Sequence, residues 1–148
     1  MKYLSLIFFT AILFLVSCGE SNPYADFVIE MNTTPCFGAC PEYDITIKGD
    51  GTATYVGKRH APRAGEYTKQ LPVEETRALF DAFAAVDFFA FEEKYTSNIS
   101  DLSTTFISFS HNGQSKKIED YYGAPDELDK LENRVEAIAK SEGWKKAE

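Results

Sequence analysis

Hydrophobic residues recur at every second position in several stretches of the chain, which is the period of a half-buried β-strand. The clearest case is Tyr43, Ile45 and Ile47, which alternate with polar residues up to the turn Gly49-Asp50-Gly51. The pair Asn112-Gly113 is the strongest short hairpin signal in the chain. Strands are predicted over residues 27–31, 43–48, 52–56, 66–71, 105–109 and 114–121.

Two other stretches repeat their hydrophobic residues with the period of an α-helix. The first is predicted over residues 72–86, and its buried face is expected to contain Leu79, Phe80, Phe83 and Val86. An aromatic segment over residues 88–95 follows and should pack this helix onto the sheet. The second helix is predicted to begin near Pro125, to end at Gly143, and to bury Leu128, Leu131, Val135 and Ile138.

Strands separated by helices are typical of the α+β class. We therefore expect an antiparallel sheet built from hairpins, with two helices packed on one face. Residues 26–148 are predicted to form this single domain.

The N-terminus carries a different pattern, a short apolar run that ends in Leu15-Val16-Ser17-Cys18. The run is shorter than the roughly 20 apolar residues that a membrane-spanning helix needs, but its length suits a cleaved signal. Leu at the third position before the cysteine is typical of a bacterial lipobox. Residues 1–17 are thus predicted to be a lipoprotein signal peptide, Cys18 the lipidated residue, and residues 18–25 a tether.

Charge then limits the partners. The chain has 15 basic and 23 acidic residues, a formal net charge of −8, which argues against nucleic acid because its binding requires clustered Lys and Arg. Attachment to a membrane is expected through the acyl chains on Cys18, which hold a protein strongly. The predicted location is the bacterial cell envelope, on the periplasmic or outer-membrane face.

The segment Cys36-Phe37-Gly38-Ala39-Cys40-Pro41-Glu42-Tyr43 is the most distinctive motif after the lipobox. It resembles a family of uncharacterised bacterial lipoprotein domains that share a C-F-G-x-C-P-x-Y motif leading into a hairpin. The resemblance extends over roughly residues 26–145. It implies a fold and a location, and no activity, because the family is a domain of unknown function.

Cys36 and Cys40 are the two cysteines that remain when Cys18 carries lipid. In an oxidising envelope, a disulfide is the first interpretation of such a pair. Two alternatives stay open at this point. Cys36 and Cys40 together with His60 and His111 could bind copper or zinc, or the two thiols could act in redox chemistry.

The sequence carries no G-x-S-x-G elbow and no phosphate-binding glycine loop. Binding is therefore favoured over catalysis, no catalytic residue is assigned, and no cofactor is expected. The predicted function is that of a membrane-anchored, non-enzymatic binding module whose partner is an envelope protein or the cell wall. The alternative is a metal-binding or thiol-redox protein that uses Cys36 and Cys40.

Overall fold

A computed structural model describes residues 22–148 of the chain. The predicted signal peptide, Cys18 and the first residues of the predicted tether lie outside the described residues. None of the helices within residues 22–148 has the length and hydrophobicity needed to cross a bilayer.

The described residues form eight strands, two α-helices and one short 3-10 turn. The strands are β1 (Phe27–Thr33), β2 (Tyr43–Lys48), β3 (Thr52–Gly57), β4 (Gly65–Gln70), β5 (Lys94–Tyr95), β6 (Thr105–His111), β7 (Gln114–Asp120) and β8 (Lys145–Lys146). The helices are α1 (Val73–Ala85) and α2 (Asp126–Lys140), and the 3-10 turn is Phe88–Ala90.

All eight strands belong to one sheet, in the order β5-β7-β6-β1-β2-β3-β4-β8. β5 runs parallel to β7, whereas the other neighbouring strands are antiparallel. The prediction of an antiparallel sheet built from hairpins is therefore wrong, because the sheet is mixed and larger. Turn residues specify only pairs of strands that follow each other in the chain. The pairing of β1 with β6 joins distant segments, so no turn residue in the sequence indicates it. The two edge strands are too short to show an alternation of hydrophobic and polar residues.

The hydrophobic core lies between one face of the sheet and the two helices. On that face, Ile29 of β1 is paired with Ile47 of β2 and Phe109 of β6, and all three are buried. α1 covers this layer with Phe80 and Phe83, whose rings lie 6.1 and 5.2 Å from the ring of Phe109. α2 contributes the four buried residues Leu128, Leu131, Val135 and Ile138.

Each helix begins directly after a proline, which cannot continue a preceding hydrogen-bonded strand. Acidic side chains occupy the first turn of both, Glu74 and Glu75 in α1 and Asp126, Glu127 and Asp129 in α2. Negative charge is favourable there because the helix dipole is positive at its N-terminus. The carboxylates in the first turn of α2 are therefore explained by their favourable interaction with the helix dipole.

The C-terminal end of α2 is tied to the far side of the sheet. The Arg63 guanidinium donates hydrogen bonds to the backbone carbonyls of Ala139 and Ser141. The Trp144 indole donates to the carbonyl of Ile138 at 3.2 Å, and its ring packs 5.5 Å from that of Tyr55. These contacts fix the direction in which α2 crosses the sheet, from β7 at its start to β3 at its end.

Candidate functional site

The cysteine loop, residues 34–41, connects β1 to β2. The sulfur atoms of Cys36 and Cys40 lie 1.95 Å apart. The predicted pairing is confirmed to this extent: the two sulfurs are at disulfide distance. Closing a loop of this length lowers the entropy of the unfolded chain and contributes about 2 kcal/mol.

Hydrogen bonds hold the base of the cysteine loop against the sheet. The Thr33 hydroxyl donates to the carbonyl of Pro41 at 2.8 Å and accepts from the backbone N–H of Tyr43 at 3.2 Å. On the other side, the Thr34 N–H donates to the carbonyl of Thr104 at 3.0 Å. The loop is therefore anchored at its base as well as closed by the cysteines.

Phe37 lies at the tip of this loop and is 90% exposed. A buried phenylalanine contributes about 1.5–3 kcal/mol relative to an exposed one, so the fold gains little from this ring. Aromatic residues, phenylalanine included, are enriched at protein interfaces relative to the rest of the protein surface.

The structure does not bring the two histidines to the cysteines. His111 pairs with Phe27 at the opposite end of β1, about 20 Å from the cysteine loop at 3.3 Å per residue, and its Nδ1 lies 3.1 Å from the carbonyl of Asp26. His60 is exposed in the loop between β3 and β4. Cys36, Cys40, His60 and His111 are not part of any group of side chains within residues 22–148 that lie close enough together to share one metal ion.

A second feature lies beside the base of the cysteine loop, between α2 and the sheet. Thr33, Thr105 and Asp120 are aligned across β1, β6 and β7, and each lies two residues from a buried hydrophobic residue of its strand. Because side chains alternate along a strand, this row faces α2. The space there is a cavity of about 160 Å³, which we call the acidic cavity. Its polar lining is Thr33, Tyr43, Thr105, Glu132, Asn133 and Glu136.

Two further carboxylates, those of Asp120 and Asp129, lie next to Glu132, which lines the acidic cavity. Asp129 and Glu132 are three residues apart on α2 and so share one face of the helix. Together with Asp120 they place three carboxylate oxygens within 4.8 Å of one another. Oε1 of Glu132 is buried and has no hydrogen-bond partner among the described residues.

Burial and mutual repulsion shift the ionisation of these groups. Burial first, and then the charges of Asp120 and Asp129, raise the pKa of Glu132 to about 8. Burial and Asp129 also raise the pKa of Asp120. Burial, with smaller contributions from Glu136, Tyr55 and Glu132, raises the pKa of Tyr43. All three shifts disfavour negative charge, as expected where no cation balances the carboxylates.

Sequence reasoning missed the acidic cavity. None of Asp120, Asp129 and Glu132 is among the site residues predicted from the sequence. A signal existed in part: Asp129, Glu132 and Glu136 recur every three or four residues beside the hydrophobic stripe of α2. The contribution of Asp120 has no local signal, because it depends on how α2 crosses the sheet.

Comparison with known proteins identifies the family of this chain. A comparison with curated proteins finds no match. The family model described as "Domain of unknown function (DUF6438)" matches residues 27–139, from the first residue of β1 to the last turn of α2. The chain therefore belongs to the DUF6438 family.

Proposed function

We propose that the protein is a membrane-anchored envelope lipoprotein that acts by binding a partner through the cysteine loop. The lipobox ending at Cys18 supports the anchor, and the C-F-G-x-C-P-x-Y motif supports its place among lipoprotein domains. The partner is an envelope protein or a cell-wall component.

The exposure of Phe37 is the observation that carries the binding proposal. Its ring is 90% exposed, although most aromatic rings of the described residues lie in the core or pack against it. The pair Cys36–Cys40 restricts the loop before any partner arrives. A loop that is already ordered loses less conformational entropy on binding, so more of the contact energy appears as affinity.

The direction of β1 supports an outward-facing site. The predicted tether leads into β1 at Phe27, and the cysteine loop follows the other end of the strand at Thr33. The length of the strand from Phe27 to Thr33, about 20 Å at 3.3 Å per residue, separates the two. Phe37 is thereby carried away from the attachment point, toward a partner outside the lipid surface.

The anchor predicts a specific mass for the mature protein. We expect the protein extracted from membranes to lack residues 1–17 and to carry acyl chains on Cys18, because the lipobox is the substrate of lipoprotein processing. Intact-mass spectrometry measures both. A Cys18→Ala variant should lose the acyl mass and leave the membrane fraction, and an unmodified full-length wild-type chain would contradict the proposal.

Binding through Phe37 predicts a position-specific crosslink. With a photoreactive phenylalanine analogue at position 37, irradiation of intact cells should give a discrete adduct, because this side chain would lie in the interface. Position 73 is the matched control, since Val73 is 58% exposed but lies beside the turn at Asp50, at the opposite end of the sheet.

The crosslink has a second control in the loop itself. Replacing both cysteines, Cys36→Ser and Cys40→Ser, should weaken the adduct at position 37 because the loop is no longer closed. Equal labelling from positions 37 and 73, or none from position 37, would show that the cysteine loop is not the binding site.

A further inference from the structure

Three carboxylates, those of Asp120, Asp129 and Glu132, lie close together beside the acidic cavity, and Glu132 is the one that lines it. The ion pairs nearest to them in sequence use other acids, Lys94 with Glu119 at 2.8 Å and Lys140 with Glu136 at 2.8 Å. Among residues 22–148, no Lys or Arg forms an ion pair with Asp120, Asp129 or Glu132. Carboxylates brought this close repel one another unless a positive charge lies between them.

An independent feature of the same cavity also lacks a partner. Tyr43 is 2% exposed, and its hydroxyl forms no hydrogen bond within residues 22–148. Its side chain lines the acidic cavity together with that of Glu132. A buried hydroxyl without a partner is costly, and a ligand or its bound water would supply the missing hydrogen bond.

The spacing of the carboxylate oxygens fits a single ion. Ca²⁺ binds oxygen ligands at 2.3–2.6 Å, so ligands on opposite sides of the ion lie about 4.6–5.2 Å apart. The three carboxylate oxygens all lie within 4.8 Å of one another. That limit is wide enough for Mg²⁺ as well, but Mg²⁺ demands near-ideal octahedral geometry, whereas Ca²⁺ accepts irregular sets of oxygen ligands. Zinc is usually bound by nitrogen and sulfur ligands.

The cavity also has room for the rest of a coordination shell. Ca²⁺ takes six to eight oxygen ligands. The cavity has a volume of about 160 Å³, which holds several water molecules. The Tyr43 hydroxyl and the side chains of Thr33 and Thr105 line that space.

We propose that Asp120, Asp129 and Glu132 bind a Ca²⁺ ion, whose remaining ligands are cavity waters held in part by the Tyr43 hydroxyl. Such a site joins the end of β7 to the first half of α2. It lies beside the strand ends that carry the cysteine loop, but it does not depend on a partner at Phe37.

Calorimetric titration with CaCl₂ tests the proposal on the full chain, extracted in detergent and freed of metal with EDTA. We expect one site per chain with a dissociation constant in the range of about 10⁻⁵–10⁻³ M. Glu132→Gln should weaken binding at least tenfold. Glu127→Gln is the matched control, because Glu127 is an exposed acid on the same helix and the substitution makes the same chemical change. It should change the affinity less than twofold.

Thermal unfolding separates loss of the site from loss of the fold. In EDTA, Glu132→Gln should still unfold cooperatively, since the neutral amide adds no repulsion to the cluster. Ca²⁺ should raise the melting temperature of the wild type and of Glu127→Gln, but not that of Glu132→Gln. Asp129→Asn, at an exposed position, should behave like Glu132→Gln. Absence of binding heat with folded wild-type protein, or equal affinity in the Glu132→Gln and Glu127→Gln variants, overturns the proposal.

Discussion

Replacing Phe109 by alanine is expected to lower the free energy of unfolding by about 3–5 kcal/mol, the usual cost of removing a large aromatic side chain from a core. Phe109 is 2% exposed. Its ring lies 5.2–6.4 Å from the rings of five other phenylalanines, Phe27, Phe80, Phe83, Phe88 and Phe89. Domains of this size are stable by about 5–15 kcal/mol in total, so the loss is a large share of the stability. Denaturant unfolding monitored by circular dichroism measures it.

The same substitution at the cysteine loop is the control for Phe109→Ala. Phe37→Ala should change the free energy of unfolding by less than about 0.5 kcal/mol, because exposed side chains contribute little to folding. The comparison holds the chemistry constant and varies only the surroundings of the ring. A loss at Phe37 as large as that at Phe109 would mean that the loop packs against the domain, and it would remove the main support for binding there.

Stability is expected to fall as the pH rises from about 5 to 8 in the absence of metal. The pKa of Glu132 is about 8 in the folded protein and near 4.3 in an unfolded chain. Between these two pKa values the folded state holds a proton that the unfolded state releases. The stability that this proton contributes is therefore fully present below the lower pKa, and it decreases as the pH rises toward the higher pKa. The slope approaches about 1.4 kcal/mol per pH unit for one such group. The raised pKa of Asp120 acts in the same direction.

Denaturant unfolding at pH 5, 6, 7 and 8 in EDTA tests this dependence. Glu132→Gln should flatten the curve, because the amide does not titrate and the repulsion within the cluster is reduced. Glu127→Gln keeps the cluster and should keep the wild-type slope. A wild-type stability that rises over this range, or an unchanged slope in Glu132→Gln, would contradict the burial of Glu132 among acids.

Sequence patterns located the local elements well because their signals are local. The first helix was predicted over residues 72–86 and spans Val73–Ala85, and the turn at Asn112-Gly113 joins β6 to β7 as expected. Four predicted buried residues of the second helix, Leu128, Leu131, Val135 and Ile138, are buried. Periodicity is a property of a single segment, so no knowledge of other segments was needed.

The sheet as a whole was not predictable in the same way. β1 lies between β2 and β6, and its pairing with β6 joins segments more than 70 residues apart. β5 pairs with β7 through two residues, Lys94 and Tyr95, which are too few to show a period. The antiparallel prediction failed because it extended the hairpins that the turns specify to strands that no turn connects.

The cysteine loop and the acidic cavity differ in how far they could be predicted from the sequence, and the reason is again whether the signal is local. Cys36 and Cys40 are four residues apart, so their pairing could be predicted from spacing and compartment. The carboxylate cluster combines Asp120 of β7 with Asp129 and Glu132 of α2. Tyr43 of β2 lines the adjoining cavity together with Glu132. Only the path of α2 over the sheet brings these side chains together, and that path depends on contacts such as those of Arg63 with the helix end.

The two edge strands have a consequence for how copies of the protein can associate. β5 and β8 are two residues long and contain Lys94, Lys145 and Lys146, and long unprotected edges are what allow sheets of different molecules to join. Lys116 further occupies the carbonyls of Phe89 and Phe91 beside β7. β5 covers β7 only at Glu119 and Asp120, and β8 covers β4 only at Tyr67 and Thr68, so the open main-chain edge on either side is short. Self-association would therefore rely mainly on side-chain contacts. Such contacts can be altered by single substitutions without disturbing the fold.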